Sequence, residues 1–344
     1  MKMKLVCAMV SGLLVAPWAH AEEALKSEGG IISHAAHQLS GGIAAGYYKT
    51  TNTGSDDTDN FQVSDVLLQF SRAASSQGVG YTLGFGSLAA ISVLDGGVNN
   101  STTYADFGVQ YGWVSVVPVD GLTIDAGKLA TNVGYEVTPS LTNPHMTLAA
   151  LWNGQPAYYP GLRVSYAIGD VTVFGEVSDD TVTVNGTTAT AANSIGVKGS
   201  AAGIDYVASY YNYSGAKNIV DVIASTKLGE IPVAINLDYH MLDDAAKVSG
   251  NDDNAYGVAL YAKPSFGAVS VPVRVEYMND GTSGIYGVDT GYTLTVTPTY
   301  TFPDNSFVRA EVSYVTTDNE IFSDKNGAPE DTKTSFGVQA GVLF

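Results

Sequence analysis

Val269-Ser270-Val271-Pro272-Val273-Arg274-Val275-Glu276-Tyr277-Met278 alternates residue by residue. Val269, Val271, Val273, Val275 and Tyr277 form one set, and Ser270, Pro272, Arg274, Glu276 and Met278 the other. Successive side chains of an extended strand point to opposite faces, so this stretch has one apolar face and one that carries charge. Tyr292, Leu294, Val296, Pro298 and Tyr300 alternate with Thr293, Thr295, Thr297 and Thr299. Val233, Ile235, Leu237 and Tyr239 alternate with Ala234, Asn236, Asp238 and His240, and Phe107, Val109, Tyr111 and Trp113 with Asp106, Gly108, Gln110 and Gly112. A soluble β-sandwich has the same period, so alternation by itself does not choose between sandwich and barrel.

Length and spacing choose. Tilted strands of about 9–11 residues cross a bilayer. The pattern predicts about 16 strands (range 14–18), at 39–49, 61–72, 79–88, 104–117, 122–130, 161–167, 171–178, 193–200, 204–212, 218–227, 231–242, 254–263, 268–278, 290–301, 307–315 and 332–344. Connections alternate short and long. Pro118-Val119-Asp120-Gly121, Gly169-Asp170, Ala202-Gly203 and Pro303-Asp304-Asn305 mark short turns, while 131–160 is by far the longest loop. Short periplasmic turns at one rim and long extracellular loops at the other define an all-β, transmembrane antiparallel β-barrel. Hydrocarbon offers backbone groups no partner, so such a sheet must close on itself. Phe336, Val338, Ala340, Val342 and Phe344 share one face of a closing strand, and a terminal aromatic there resembles the signal read by the barrel assembly machinery. Tyr166, Tyr213, Tyr239, Tyr277, Tyr300 and Tyr314 fall near strand ends, where amphipathic rings suit the membrane interface.

The chain begins as an exported one does. Lys2 and Lys4 precede the apolar run Leu5 to Val15, and Ala19-His20-Ala21 is a cleavage site before Glu22. This gives a signal peptide over 1–21, a short periplasmic segment over 22–38 and a barrel over 39–344. Cys7 leaves with the leader, so no thiolate metal site remains, and no cofactor or metal is expected. Of the 344 residues, 34 are acidic and 16 basic, a net charge of −18 that falls to −20 without Lys2 and Lys4. That balance excludes nucleic acid, whose phosphates need a basic face. Charged residues at 15% of the chain and hydrophobic ones at 45% also exclude a disordered protein.

Charge on the inward face makes a pore. The alternation sends Arg163, Lys198, Lys227, Lys263, Arg274 and Arg309 inward, with Asp65, Asp106, Asp125, Glu176, Asp205, Asp221, Asp238, Glu276 and Glu311. An Arg or Lys facing lipid at the midplane would cost about 2–4 kcal/mol. At sixteen strands the interior is too wide for side chains to fill, which calls for water. The candidate pore-lining residues are Asp106, Arg163, Glu176, Lys198, Asp238, Arg274, Glu276, Arg309 and Glu311. The 131–160 loop starts at the extracellular rim. It can fold inward and narrow the lumen, with Glu136, His145 and Trp152 at the constriction, or stand outside as a lid or partner-binding loop. Its apolar middle, Met146 to Trp152, favours burial. Other long loops are acidic: Asp56, Asp57 and Asp59; Asp179 and Asp180; Asp243, Asp244, Asp252 and Asp253; Asp318, Glu320, Asp324, Glu330 and Asp331. Three features strain the pattern. Pro272 and Pro298 sit in mid-strand, where a missing N–H breaks the ladder. Lys128 shares a face with Leu122, Ile124 and Ala126, which calls for a bulge or an earlier strand end.

Gly127-Lys128-Leu129-Ala130-Thr131-Asn132-Val133-Gly134-Tyr135-Glu136 leads to Asn143-Pro144, then Pro156, Tyr158, Pro160 and Gly161-Leu162-Arg163-Val164-Ser165-Tyr166. This succession resembles the OmpL-like beta-barrel porin family. The resemblance implies an outer-membrane channel of a Gram-negative bacterium, surrounded by lipid and lipopolysaccharide. The function expected is passive diffusion of small hydrophilic solutes or ions with weak cation preference, as a monomer or a homotrimer. The alternative is a surface-exposed structural or adhesive barrel that binds through its acidic loops. An enzyme is not expected: Asp238 and His240 share the inner face, but no nucleophile motif accompanies them, and no Walker or Rossmann fingerprint occurs.

Overall fold

The computed structural model describes residues 37–54, 58–94 and 107–344. The expected leader, nearly all of the 22–38 segment, Asp56, Asp57 and Asp106 lie outside the described residues. The rest is a single closed antiparallel barrel of sixteen strands. These are β1 (Gln38–Thr50), β2 (Thr58–Arg72), β3 (Gly80–Leu88), β4 (Gly108–Val119), β5 (Leu122–Ala130), β6 (Tyr158–Ile168), β7 (Val171–Ser178) and β8 (Ala192–Ala201). They continue with β9 (Ile204–Tyr213), β10 (Lys217–Leu228), β11 (Ile231–Leu242) and β12 (Asn254–Ala262 with Ser265–Phe266). The last four are β13 (Val269–Ser270 with Val273–Asn279), β14 (Thr290–Val296 with Thr299–Thr301), β15 (Ser306–Thr317) and β16 (Thr332–Leu343). Each strand pairs with its chain neighbour, and β16 pairs with β1 from Gly42–Leu343 to Thr50–Ser335. Past that ladder, Gly41 and Phe344 exchange both backbone hydrogen bonds, at 2.9 and 3.0 Å. Among the described residues, the barrel leaves no sheet edge open to lipid.

One rim carries tight turns. Ala202 and Gly203 between β8 and β9 have φ of 52° and 78°, the paired left-handed conformation that matches strand twist in a two-residue hairpin. The opposite rim carries the long loops, two of which form small hairpins of their own, Val182–Val184 with Thr187–Ala189 and Phe322–Ser323 with Pro329–Glu330. The outer surface is apolar, with Leu237, Leu260, Val275, Leu294, Val312 and Val338 exposed. Tyr256, Tyr277 and Tyr292 on three adjacent strands form part of an aromatic girdle, with ring centroids 5.9 and 5.0 Å apart.

Several details depart from simple alternation. A bulge pairs Phe85 with Val109 and Gly84 with Tyr111, passing over Gln110. Val109 therefore faces out, 58% exposed, while Tyr111 turns inside at 2% and donates to Gln69. Tyr213 is no interface residue: it is buried inward and its hydroxyl donates to Asp180. Lys128 keeps its place on the outer face, exposed two residues before β5 ends, so no bulge re-aims it. Pro272 and Pro298 do interrupt their strands, and each forfeits its N–H donor, but their carbonyls stay in the ladder. Thr297 N–H donates to the Pro272 carbonyl at 2.9 Å, and Ala310 N–H to that of Pro298 at 3.0 Å. β6 begins at Tyr158, which shortens the expected 131–160 loop to 131–157.

The lipid-facing assignment has a direct test. Leu294→Arg should destabilise the folded barrel in lipid vesicles by about 2–4 kcal/mol in denaturant titrations, whereas Leu294→Phe should leave it within about 1 kcal/mol of the parent.

Candidate functional site

The 131–157 segment leaves the rim and folds into the barrel. Its residues are almost all buried, and their partners lie on inward faces of strands all around the wall. Ordering a loop costs about 1–2 kcal/mol per residue in backbone entropy alone, so the segment needs many anchors. The inward charges supply them. Acids catch its N–H groups: Glu311 accepts from Met146 N at 2.6 Å, Thr147 N at 3.0 Å and Thr147 Oγ1 at 2.6 Å. Glu276 accepts from Leu151 N at 3.2 Å. Bases catch its carbonyls: Arg309 donates to Asn143 O at 2.8 Å and Ser140 O at 3.2 Å, and Lys217 to Gly154 O at 2.6 Å.

Arg274 sits at the centre, fully buried. It donates to Glu136 Oε1 at 2.6 Å, Thr147 O at 2.9 Å, Leu148 O at 3.3 Å and Thr295 Oγ1 at 3.1 Å, with Glu276 Oε2 3.1 Å from its Nε. Glu136 in turn accepts from Ala149 N at 2.6 Å, so the segment is clipped to itself as well as to the wall. Burial pushes the Glu136 carboxyl up to about 7 against the pull of Arg274. His145 is bonded to Thr297 Oγ1 at 2.7 Å; burial, aided by Arg274, Arg309 and Lys263, holds its imidazole well below the usual range.

A second group of anchors lies across the barrel. Glu176 accepts from Arg163 Nε, from Asn132 at 2.8 Å, Tyr159 at 2.6 Å and Ser194 at 2.9 Å. Lys198 reaches Asn132 Oδ1 at 3.4 Å and lies over the Phe174 ring. Asp238 accepts from Gln155 at 2.7 Å, and Ser140 donates to Asp65 at 2.8 Å. Trp152 lies half-buried in the short turn Leu151–Gly154, and its carbonyl accepts from Gln155 N at 3.0 Å. The described candidates are thus brought together by one buried segment, and Asp106 is the one candidate outside the described residues.

Apolar contacts complete the fit. Glycines in the wall make room for the segment: a Cβ at Gly337 would lie 2.5 Å from Met146 Cε, and one at Gly257 2.8 Å from Leu151 Cγ. Leu148 also joins the incoming end of 89–94, its N–H donating to Ile91 O at 2.7 Å and its carbonyl accepting from Val93 N at 3.1 Å. Other long loops turn inward too: Val184, Ile285, Tyr286, Val288 and Phe322 share an apolar cluster with Ala149, Ala150 and Leu151. Chain therefore occupies much of the interior that strand number alone assigns to water. A cavity of about 370 Å³ remains at the mouth, lined by Asn52, Asn153, Tyr286, Phe322 and Lys333 among others.

The sequence reading left Lys217, Asn236 and Gln155 out of the site. Lys217 lies one residue before the expected strand 218–227, yet it opens β10 and shares the inward parity of Ile219 and Asp221. Asn236 Oδ1 accepts from Tyr135 N and from Gln155, both at 3.1 Å; it has the inward parity but no charge to mark it. Among the described residues no group of His, Cys, Asp and Glu could hold a metal ion, and no helix is long and apolar enough to cross a membrane.

A sixteen-stranded closed barrel with an apolar exterior and a charged interior is the form of an outer-membrane channel. The profile of the family described as "Putative beta-barrel porin-2, OmpL-like" matches residues 36–344, and the chain belongs to that family. Its fold is shared by solved porins. A mutant of the Rh. blastica porin is 18% identical, with 90% of this chain and 100% of that one aligned and a TM-score of 0.55. The "Anion-selective porin from Comamonas acidovorans" is 10% identical over 90% and 99% of the two chains, TM-score 0.61. Pseudomonas aeruginosa OccK11 (OpdR) is 8% identical over 90% and 96%, TM-score 0.54. A search of curated protein sequences returned no match. Family and fold are those of a channel-forming outer-membrane porin of Gram-negative bacteria, not of an enzyme.

Removing Arg274 should undock the segment. Arg274→Met leaves Glu136 and Glu276 buried without their counterion, a loss of roughly 3–5 kcal/mol. Chymotrypsin should then cut at Tyr135, Leu148 or Trp152 in a barrel that still shows heat-modifiable mobility, and adding Glu136→Gln should recover part of the protection.

Proposed function

We propose that the protein is a passive diffusion channel for small hydrophilic solutes, narrowed by the 131–157 segment and weakly cation-preferring. One observation supports this reading most. The charges expected to line the pore are largely engaged by the buried segment, so much of their field is spent on backbone dipoles and on one another. The acids at the mouth are not so engaged. Asp244, Asp252 and Asp253 are exposed, with Lys247 the one base bonded among them. A negative entrance concentrates cations, and screening limits its reach to roughly 8 Å at physiological salt. Arg163, Glu176, Lys198, Asp238, Arg274, Glu276, Arg309 and Glu311 then act on solutes chiefly by setting where Glu136, His145 and Trp152 stand; Asp106 belongs to the same proposed lining.

The remaining assignments follow from the sequence. The leader is cleaved after Ala21, the Phe344 end is read by the assembly machinery, and the acidic loops stand solvated beside the lipid and lipopolysaccharide. A homotrimer fits a barrel of this size.

In planar bilayers, reversal potentials across a KCl gradient should show weak cation preference that grows as salt falls. Asp243→Asn, Asp244→Asn, Asp252→Asn and Asp253→Asn together should reduce it. A clear anion preference overturns the mouth argument. Deleting Val137 to Gln155 should raise single-channel conductance in a barrel that still assembles. No conductance from either protein would favour the structural or adhesive reading.

A further inference from the structure

His240 of β11 is fully buried inside the barrel, and neither ring nitrogen has a hydrogen-bond partner. Buried polar groups are seldom left so, because each forfeits its hydration. The ring stands where two inward-folded segments meet the wall. Tyr286 of 280–289 packs edge-on against it, centroids 5.2 Å apart, and its own hydroxyl is also unpartnered. On the other side Gly154 abuts the ring so closely that a Cβ there would lie 3.0 Å from Nε2. Three bonds tie that end of the 131–157 segment to the wall; Gln155 donates to Asn236 Oδ1 at 3.1 Å, and the other two involve neighbours of His240. Asp238 Oδ2, 3.8 Å from His240 Nε2, accepts from Gln155 at 2.7 Å, and Lys217 donates to Gly154 O at 2.6 Å.

We propose that His240 is an acid-sensitive latch on the 131–157 segment: gaining a proton, it loosens the Gly154–Gln155 end and opens the channel. The inference rests on the reading of that segment as the constriction. As pH falls through the imidazole range, both His240 ring nitrogens become donors and the ring gains a charge, so that Nε2 competes with Gln155 for Asp238 Oδ2. It also becomes a second cation near Lys217, which weakens the hold on Gly154 O. The charged and titratable groups about the ring are Lys217 and Asp221 of β10, Asp238 of β11, and Asp280 and Tyr286 of the 280–289 segment. β12 presents only Ala255 opposite it, and 131–157 presents uncharged Gly154 and Gln155. An ordinary imidazole changes charge between about pH 5 and 8, where ordinary carboxylates and lysines do not.

The test is single-channel recording of the full-length barrel at about pH 7.5 and about pH 5.5. The ratio of conducting to blocked time should rise about fivefold on acidification, the factor that loss of one hydrogen bond corresponds to. His240→Gln should abolish the rise, and His37→Gln, at an exposed site, should retain it. In a Trp113→Phe protein, Trp152 fluorescence should shift to the red over the same pH range, a readout that needs no change at His240. No rise in the parent protein, or a rise that persists in His240→Gln, overturns the latch. Persistence in His240→Gln with loss in Glu136→Gln would assign the response to the Arg274 clip instead. If deleting Val137 to Gln155 leaves conductance at about pH 7.5 unchanged, the constriction reading fails first and independently of any pH effect.

Discussion

The ladder between β16 and β1 is the constraint on which the rest depends. In hydrocarbon an unpaired backbone group costs several kcal/mol, so a sixteen-stranded sheet exists there only if its last strand finds its first. Gly42 to Thr50 meet Leu343 to Ser335 in unbroken register, and Gly41 and Phe344 finish the seam. Closure fixes which parity faces inward on every strand at once. Because the register is continuous, a charge such as Arg274 on β13 and one such as Glu311 on β15 are delivered to one interior.

That interior poses the opposite problem. A barrel this wide cannot be filled by its own wall, and a charged wall needs partners. The 131–157 segment meets both demands. Its exposed N–H and C=O groups, which would be unpaired in a dry loop, are the complement of an inner surface bearing carboxylates and guanidiniums. Glu311 takes two consecutive N–H groups while Arg274 takes two consecutive carbonyls of the same stretch. Neither set would be stable alone.

The barrel was legible in the sequence because period-two alternation and the regular exchange of short and long connections are both local signals. Strand ends were read to within a few residues, and the inward parity of Arg274, Glu276, Arg309 and Glu311 followed directly. Local pattern fails where a single residue is added or a side chain changes use. The bulge at Gln110 reverses the face of Tyr111, and nothing in Phe107 to Trp113 announces it. Tyr213 has the composition of an interface residue but answers to Asp180, a partner far along the chain. The anchors of the buried segment were hidden for the same reason: Arg274 finds Glu136 across 138 residues of sequence. Parity shows that a charge faces inward, not what meets it there.

The consequence reaches the meaning of the wall charges. In an open cylinder each inward Arg or Glu would act on passing ions through its own field. Here Arg274 is surrounded by Glu136, Glu276 and two carbonyls, so its charge is largely balanced within hydrogen-bond distance. A neutralised cluster has a field that falls off quickly, while its geometry still decides where the segment stands. If the segment is the constriction, as proposed, substituting such a residue alters pore width before it alters pore potential. On the proposed reading, selectivity by charge is left to exposed acids such as Asp244, Asp252 and Asp253 on the loops at the rim. On that reading width and charge preference are set by different residues, the first written in the strands and the second in the loops.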